Sequence, residues 1–169
     1  MLGLISLISS TAFGATLSVS ADGTATYASI QDAIDDATSG DTISVSAGEY
    51  YDPFDFSGKS LTIVGAGTES TLIDGRGEYD QLIWADDGED IRFESLTLSN
   101  TYHQGIVLVN GSLEAEDVVF FDMGSPDMFG GAISATDASI TISSCVFEDN
   151  IGYDGGALYA AGSMSLYIE

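Results

Sequence analysis

The sequence predicts an all-β fold: a right-handed parallel β-helix of short coils, closed at its N-terminal end by one amphipathic helix. Three observations predict it. First, four segments align with one another: QLIWADDGEDIRF (81–93), QGIVLVNGSLEA (104–115), GGAISATDASITI (130–142) and GGALYAAGSMSLYI (155–168). Second, with Asp90, Ser112, Ser139 and Ser163 taken as equivalent, the repeats fall 22, 27 and 24 residues apart. A unit that short cannot bury its own apolar face and must stack on its neighbours. Third, beyond residue 40 the apolar residues come in short β-type runs of Ile, Val, Phe, Tyr and Thr with no helical period.

In chain order, MLGLISLISSTAFGA (1–15) is apolar, with Ala12 and Gly14 at −3 and −1 before Ala15. That pattern is the rear of a secretory signal peptide without its basic front, and it predicts export to the cell surface or medium. The run is too short for a stable membrane span. Residues 16–169 are then a single β-helix domain. TYASIQDAIDDATSGD (26–41) puts Ile30, Ala33, Ile34 and Ala37 on one helical face, with Ser29 placed to cap, Asp32 at the capping-box position and Gly40 placed to terminate. The expected helix covers about 28–38 and lies over the open first coil, protecting its edge and core.

Strands are expected at DTISVS (41–46), SLTIVG (60–65) and STLIDG (70–75), followed by the repeats. Their tails also match: SLTLSN (95–100), DVVFFD (117–122) and CVFEDN (145–150). Each repeat divides naturally into three strands. GGAI and GGAL (130–133 and 155–158) mark one corner on successive coils, where glycine permits positive φ or close backbone contact. Asn100, Asp122 and Asp149 or Asn150 recur at another bend, where an internal amide ladder is expected. Phe93, Phe120 and Phe147 are expected to stack inside. The last repeat breaks off within a coil, so further coils of the same chain, or a partner, are expected to cover its edge.

Charge narrows the partners. Lys59, Arg76 and Arg92 are the only basic residues among 169, against 27 acids, for a formal charge of −24. Nucleic acid is excluded, because phosphate binding needs clustered cations, and anionic membrane surfaces are disfavoured for the same reason. Polysaccharide and cell-surface protein remain as partners. Cys145, the single cysteine, forms no intrachain disulfide and reads as a buried, inert thiol.

Residues 27–75, with Gly48 and Tyr50, Gly65 and Gly67, then Thr71 and Ile73, resemble the opening of pectin methylesterases and pectate-lyase-like β-helix proteins. The downstream GGAI, Phe147-Glu148-Asp149-Asn150 and GGAL are similar to the repeats of polymorphic outer-membrane proteins, which are surface-displayed passengers and adhesins. The esterase resemblance implies two Asp carboxylates, a Gln pair and an Arg on adjacent coils. Gln81 and Gln104 occupy coil positions, but no matching Asp and Arg strings accompany them. The lyase resemblance implies Ca²⁺ on clustered carboxylates plus a basic residue to remove a proton.

The ADDGED turn (85–90) is the candidate Ca²⁺ site, with Asp86, Asp87, Glu89 and Asp90 around Gly88; its plainer reading is a solvated acidic turn. Asp74 and Asp80 are placed to approach it from the previous coil. Trp84, Tyr102 and Arg92 are the candidate glycan contacts. The rings of Trp84, Tyr102 and Tyr153 suit sugar stacking, while Arg92 suits either a uronate or a surface pair with Glu94 or Glu114. His103, the sole histidine, reads as a surface turn residue. The expected function is an exported adhesin-like or glycan-contacting scaffold without catalysis. The alternatives are a fragment of a pectate-lyase-like or pectin-esterase-like enzyme, or a structural stalk.

Overall fold

The computed structural model describes residues 14–169, so the signal-like segment lies almost wholly outside the described residues. In chain order the elements are β1 (Thr16–Val19), α1 (Ile30–Asp36), β2 (Thr42–Val45), β3 (Gly48–Tyr50), β4 (Phe54–Asp55), β5 (Thr62–Val64), β6 (Thr71–Asp74) and β7 (Gln81–Ala85). They continue as β8 (Asp90–Thr101), β9 (Gln104–Val109), β10 (Ser112–Ser125), β11 (Ile133–Thr136), β12 (Ser139–Ser143) and β13 (Val146–Glu148). The last three are β14 (Ile151–Gly152), β15 (Leu158–Ala161) and β16 (Ser165–Ile168).

Every strand pairing is parallel, and the coils form a right-handed β-helix with three faces. β1, β2, β5, β8, β10, β12 and β16 stack in that order as the first face. β8 and β10 run on through a bend and also carry the second face, with β3 and β6 before them and β13 after, while β14 pairs with the end of β10 past the next bend. The third face is the separate sheet β4-β7-β9-β11-β15.

Register fixes the core. On the first face Leu17, Ile43, Ile63, Phe93, Ala115, Ile142 and Ile168 are successive partners. On the second face the file is Tyr50, Ile73, Leu98, Phe120 and Phe147. On the third it is Phe54, Ile83, Ile106, Ile133 and Leu158. Most of these side chains are fully buried. Phe120 and Phe147 stack face to face at 4.5 Å, as expected. Phe93 belongs to a different file and packs edge-on to Phe56 at 6.0 Å.

The bends are made by residues in the left-handed region. Ser95, Asp117 and Ser144 turn the chain from the first face to the second, and Asn100, Asp122 and Asp149 turn it out of the second. Ser, Asn and Asp tolerate this conformation because their short polar side chains bond locally. Asn100, Asp122 and Asp149 are thus corner formers and make no amide ladder. Asn150, the alternative in the third copy, does bond backbone at the bend, donating to Phe120 O at 2.9 Å and accepting from Met123 N at 3.2 Å.

One register differs from the sequence expectation. Asp90, Ser112 and Ser139 are successive partners, but the next partner is Ser165, not Ser163. The turn after β15 holds one residue more than the turn after β11, and Met164 fills the added space, its sulfur 3.3 Å from Ala138 N. The corner reading of GGA holds: Gly130 and Gly155 have φ of +68° and +69°, and Gly131 N donates to Gly155 O. A Cβ on Gly131 would strike the carbonyl oxygens of Gly156 and Ile151.

At the N-terminal end α1 is shorter than expected, Ile30–Asp36, with Ser29 accepting from Asp32 N at 3.3 Å. It ends in an extended Ala37 rather than at Gly40. Ile30, Ala33, Ile34 and Ala37 are buried as the pattern required. Lys59 Nζ donates to Ile34 O and Asp35 O at 2.8 Å each, satisfying carbonyls the helix end leaves open. Strand β1 was not expected. It adds a parallel rung before the helix, and Asp41 ties the two ends by accepting from Ala15 N (2.6 Å), Thr38 N (2.8 Å) and Thr38 Oγ1 (2.9 Å).

Two outcomes follow from these contacts. Gly131→Ala costs about 3 kcal/mol in urea unfolding, because backbone cannot yield to the new methyl. Gly58→Ala costs about 1–2 kcal/mol, since only its left-handed φ resists, with nothing within 4 Å. The Asp41 carboxyl lies below its ordinary range because the Thr38 and Ala15 N–H groups and the Thr38 hydroxyl favour its ionised form. A depressed carboxylate contributes stability that is present above its unfolded-state pKa and lost as pH falls through the folded-state value. The stability gap between wild type and Asp41→Asn is therefore full at pH 7 and closes as the pH falls below about 5.

Candidate functional site

The bend that leads into the third face carries the most suggestive chemistry. Its segments join β3 to β4, β6 to β7, β8 to β9, β10 to β11 and β14 to β15. Each of the five holds an aromatic residue: Tyr51, Tyr79, Tyr102, Phe129 and Tyr153. Backbone bonds link neighbouring segments, Tyr102 N to Tyr79 O at 3.0 Å and Tyr153 N to Met128 O at 2.6 Å, so the residues descend one corner of the solenoid. Tyr102, Phe129 and Tyr153 are 56%, 44% and 70% exposed. The Phe129 ring lies 5.8 Å from that of Tyr153 and 4.8 Å from that of Tyr159.

Carboxylates accompany these rings. Asp52 follows Tyr51, Asp80 follows Tyr79, Asp154 follows Tyr153, and Asp127 lies two residues before Phe129. Beside Tyr102 the corresponding residue is His103, whose Nδ1 sits 3.2 Å from Asp80 Oδ1. The recurring Tyr-Asp dipeptide was a signal available in the sequence, but it falls in loops outside the β-type periodicity that identified the coils.

Just inside this bend, Gln81 and Gln104 are register partners, with Gln81 Nε2 donating to Gln104 Oε1 at 3.3 Å. Gln104 is buried beneath the segment before β11, its amide donating to Phe129 O at 2.7 Å. In the next two coils the same position is Gly131 and then Gly156, as the backbone bonds Gly105 N to Gly131 O and Gly131 N to Gly155 O establish. Two amides therefore give way to two glycines, and these four positions hold no carboxylate; two residues before Phe54, the partner of Ile83, the preceding coil has Asp52.

The structure separates the other sequence candidates. Trp84 lies on the third face between Asp55 and Val107, one coil from Tyr102. Arg92 lies on the first face, in the other sheet. Its guanidinium pairs with Glu114, with Glu116 at 2.5 Å and with Glu94 at 3.4 Å. Burial pulls its pKa down, but the Glu114 hydrogen bond and the three carboxylate charges outweigh that and leave it raised.

In the acidic turn, Asp86, Asp87 and Asp90 are exposed, but Glu89 is 2% exposed. Its carboxylate accepts from Gly58 N at 3.0 Å and Asp87 N at 2.9 Å, while Asp90 Oδ1 accepts from Ser112 Oγ at 2.6 Å. Asp74 and Asp80 are engaged elsewhere, with Arg76 N and His103. Among the described residues no three His, Cys, Asp or Glu side chains gather closely enough to hold an ion. Cys145 is half-buried, its thiol donating to Ala115 O at 3.4 Å and Ser143 O at 3.3 Å, and burial pushes its pKa up.

No protein-family model matches this chain. No curated protein matches its sequence. Solved structures do match. A pectin methylesterase in complex with hexasaccharide VII aligns with a TM-score of 0.67 at 16% identity, over 92% of this chain and 54% of its own. Pectin methylesterase PemA from Erwinia chrysanthemi aligns at 0.65 and 15% identity with the same coverage. Pectin methylesterase from carrot aligns at 0.50 and 16% identity, over 82% of this chain and 54% of its own. The chain thus shares their β-helix fold and spans about half the length of these structures. Among the described residues no helix is long and apolar enough to cross a membrane.

Glu89→Ala is expected to cost about 2–3 kcal/mol in chemical unfolding, because it strands two backbone N–H groups beneath the turn. Asp86→Ala and Asp87→Ala stay within about 0.5 kcal/mol. If Glu89 acts through the backbone, these differences are the same with and without added Ca²⁺.

Proposed function

We propose that this chain is an exported β-helix scaffold that contacts glycan along the aromatic corner of its third face and carries no ester or lyase chemistry in the coils described. The observation that supports this reading is the Gln column. The esterase resemblance calls for amides and two carboxylates on adjacent coils, where one acid attacks or protonates and the amides hold the oxyanion. Here Gln81 and Gln104 are followed by Gly131 and Gly156. A glycine offers neither a nucleophile nor a proton.

Arg92 does not replace the missing groups, because it is spent on three glutamates in the other sheet. Glycan contact is supported by the exposed rings of Tyr102, Phe129 and Tyr153, since aromatic faces stack on sugars, and by the hexasaccharide held by a solved pectin methylesterase of the same fold. Export and surface display are supported by the signal-like opening and by the GGAI, FEDN and GGAL repeats, which suit a passenger built of stacked coils.

The test is direct. The chain is incubated with methyl-esterified pectin while methanol is measured, and with polygalacturonate and Ca²⁺ while unsaturated product is followed by ultraviolet absorbance. Neither signal is expected to rise above buffer. Turnover that is lost in Asp80→Asn or Arg92→Ala would overturn the non-catalytic reading.

A further inference from the structure

We propose that Asn110 is an attachment site for an N-linked glycan, transferred from a lipid-linked oligosaccharide as the chain is exported. This inference rests on the export reading above and names a modification that follows from it.

The first support is in the sequence. Asparagine accepts a glycan where Ser or Thr stands two residues on and the residue between is not Pro. The asparagines of this chain are Asn100, Asn110 and Asn150. Asn100 is followed by Thr-Tyr and Asn150 by Ile-Gly, so neither has the hydroxyl in place. Asn110 is followed by Gly111 and Ser112, which completes the pattern.

The second support is where the fold puts that asparagine. Asn110 lies between β9 and β10, on the bend from the third face to the first, exposed and at a φ of +58°. Its backbone is held, Asn110 N donating to Thr136 O at 3.1 Å and Ser112 N to Glu89 O at 2.9 Å. Among the described residues no hydrogen bond engages its side-chain amide. Comparable side chains are committed: Asn150 donates to Phe120 O, and Asp137, the same position one coil on, accepts from Ser163 N at 2.7 Å. A sugar on Asn110 Nδ2 therefore breaks no bond of the fold. It also leaves the aromatic corner open, because the six residues of β9 place that corner about 20 Å away.

The folded turn sets the order of events. Ser112 Oγ donates to Asp90 Oδ1 at 2.6 Å, and a Cβ on Gly111 would strike Glu89 O. The hydroxyl that the pattern requires is thus withheld once β10 has paired with β8, so transfer precedes that pairing. In the transfer, Asn110 Nδ2 forms a bond to the anomeric carbon of the first sugar. The bond from that carbon to the lipid phosphate oxygen breaks, the phosphate leaves with the electron pair, and the amide gives up one proton to a base of the transferase.

The experiment translates the full chain in the presence of microsomes that carry a transferase and its lipid-linked donor. One version keeps its own N-terminus and a second has an added signal peptide. Protease protection reports entry, and an endoglycosidase-sensitive mass shift reports the glycan. The protected chain is expected to carry one oligosaccharide. Asn110→Asp, which retains the tolerance of left-handed φ that Asp137 shows, should lose it entirely. Ser112→Ala should lose at least tenfold in occupancy and Ser112→Thr should keep it. The purified folded chain, given solubilised transferase and donor, should be modified at least tenfold less.

A protected chain that stays unmodified with the added signal peptide would overturn the site, as would a glycan that persists in Asn110→Asp. Equal modification of the folded chain would overturn the order of events. Modification with the added signal peptide, but no protection with the native N-terminus, would overturn the export reading while supporting Asn110 as the acceptor.

Discussion

The structure depends on one constraint: each coil must lay its inward side chains directly over those of the coil beneath. Leu17, Ile43, Ile63, Phe93, Ala115, Ile142 and Ile168 meet in a single file because a coil of this length has an apolar interior only one side chain deep. Side-chain period in a strand is two, so a slip of one residue would turn a whole face outward. The parallel ladders and the apolar files therefore enforce each other.

That constraint explains the bends. To keep strands in register, every coil must turn at equivalent places, and the turns must be tight. Ser95, Asp117 and Ser144 stack at one corner and Asn100, Asp122 and Asp149 at the next, all in the left-handed region. At the third face the turn is wider, and the chain uses glycine where backbones approach. Gly131 packs beneath carbonyl oxygens that leave no room for a methyl. Because backbone contacts hold this corner, its outward side chains are free to vary. That freedom is where the aromatic residues and their carboxylates sit.

The same economy applies to charge. With 27 acids and three bases, a cation is a scarce resource, and each is placed where a specific group needs it: a helix end, an aromatic ring, a trio of glutamates. The acids are not all surface ornament. Glu89 and Asp41 are buried and accept backbone N–H groups, holding a turn and the cap in place. Of the four acids in the 86–90 turn, Glu89 is committed in this way, and among the described residues no three such side chains gather into a cluster of ligands.

By itself the sequence determined the architecture. Alternation at Ile91/Phe93 and Leu113/Ala115, the spacing of the repeats, the glycines at 130 and 155 and the helical face of Ile30, Ala33 and Ile34 are local patterns, and local patterns survive in one dimension. It did not determine the last register, where the partner of Ser139 is Ser165 and not Ser163, nor strand β1, whose four residues gain meaning only when β2 lies beside them. Tertiary structure alone decided that Tyr51, Tyr79, Tyr102, Phe129 and Tyr153 share one corner while Arg92 sits in the other sheet. The loops that carry those rings differ in length, so no fixed period joins them, and only the stacking of the strands on either side brings them into line.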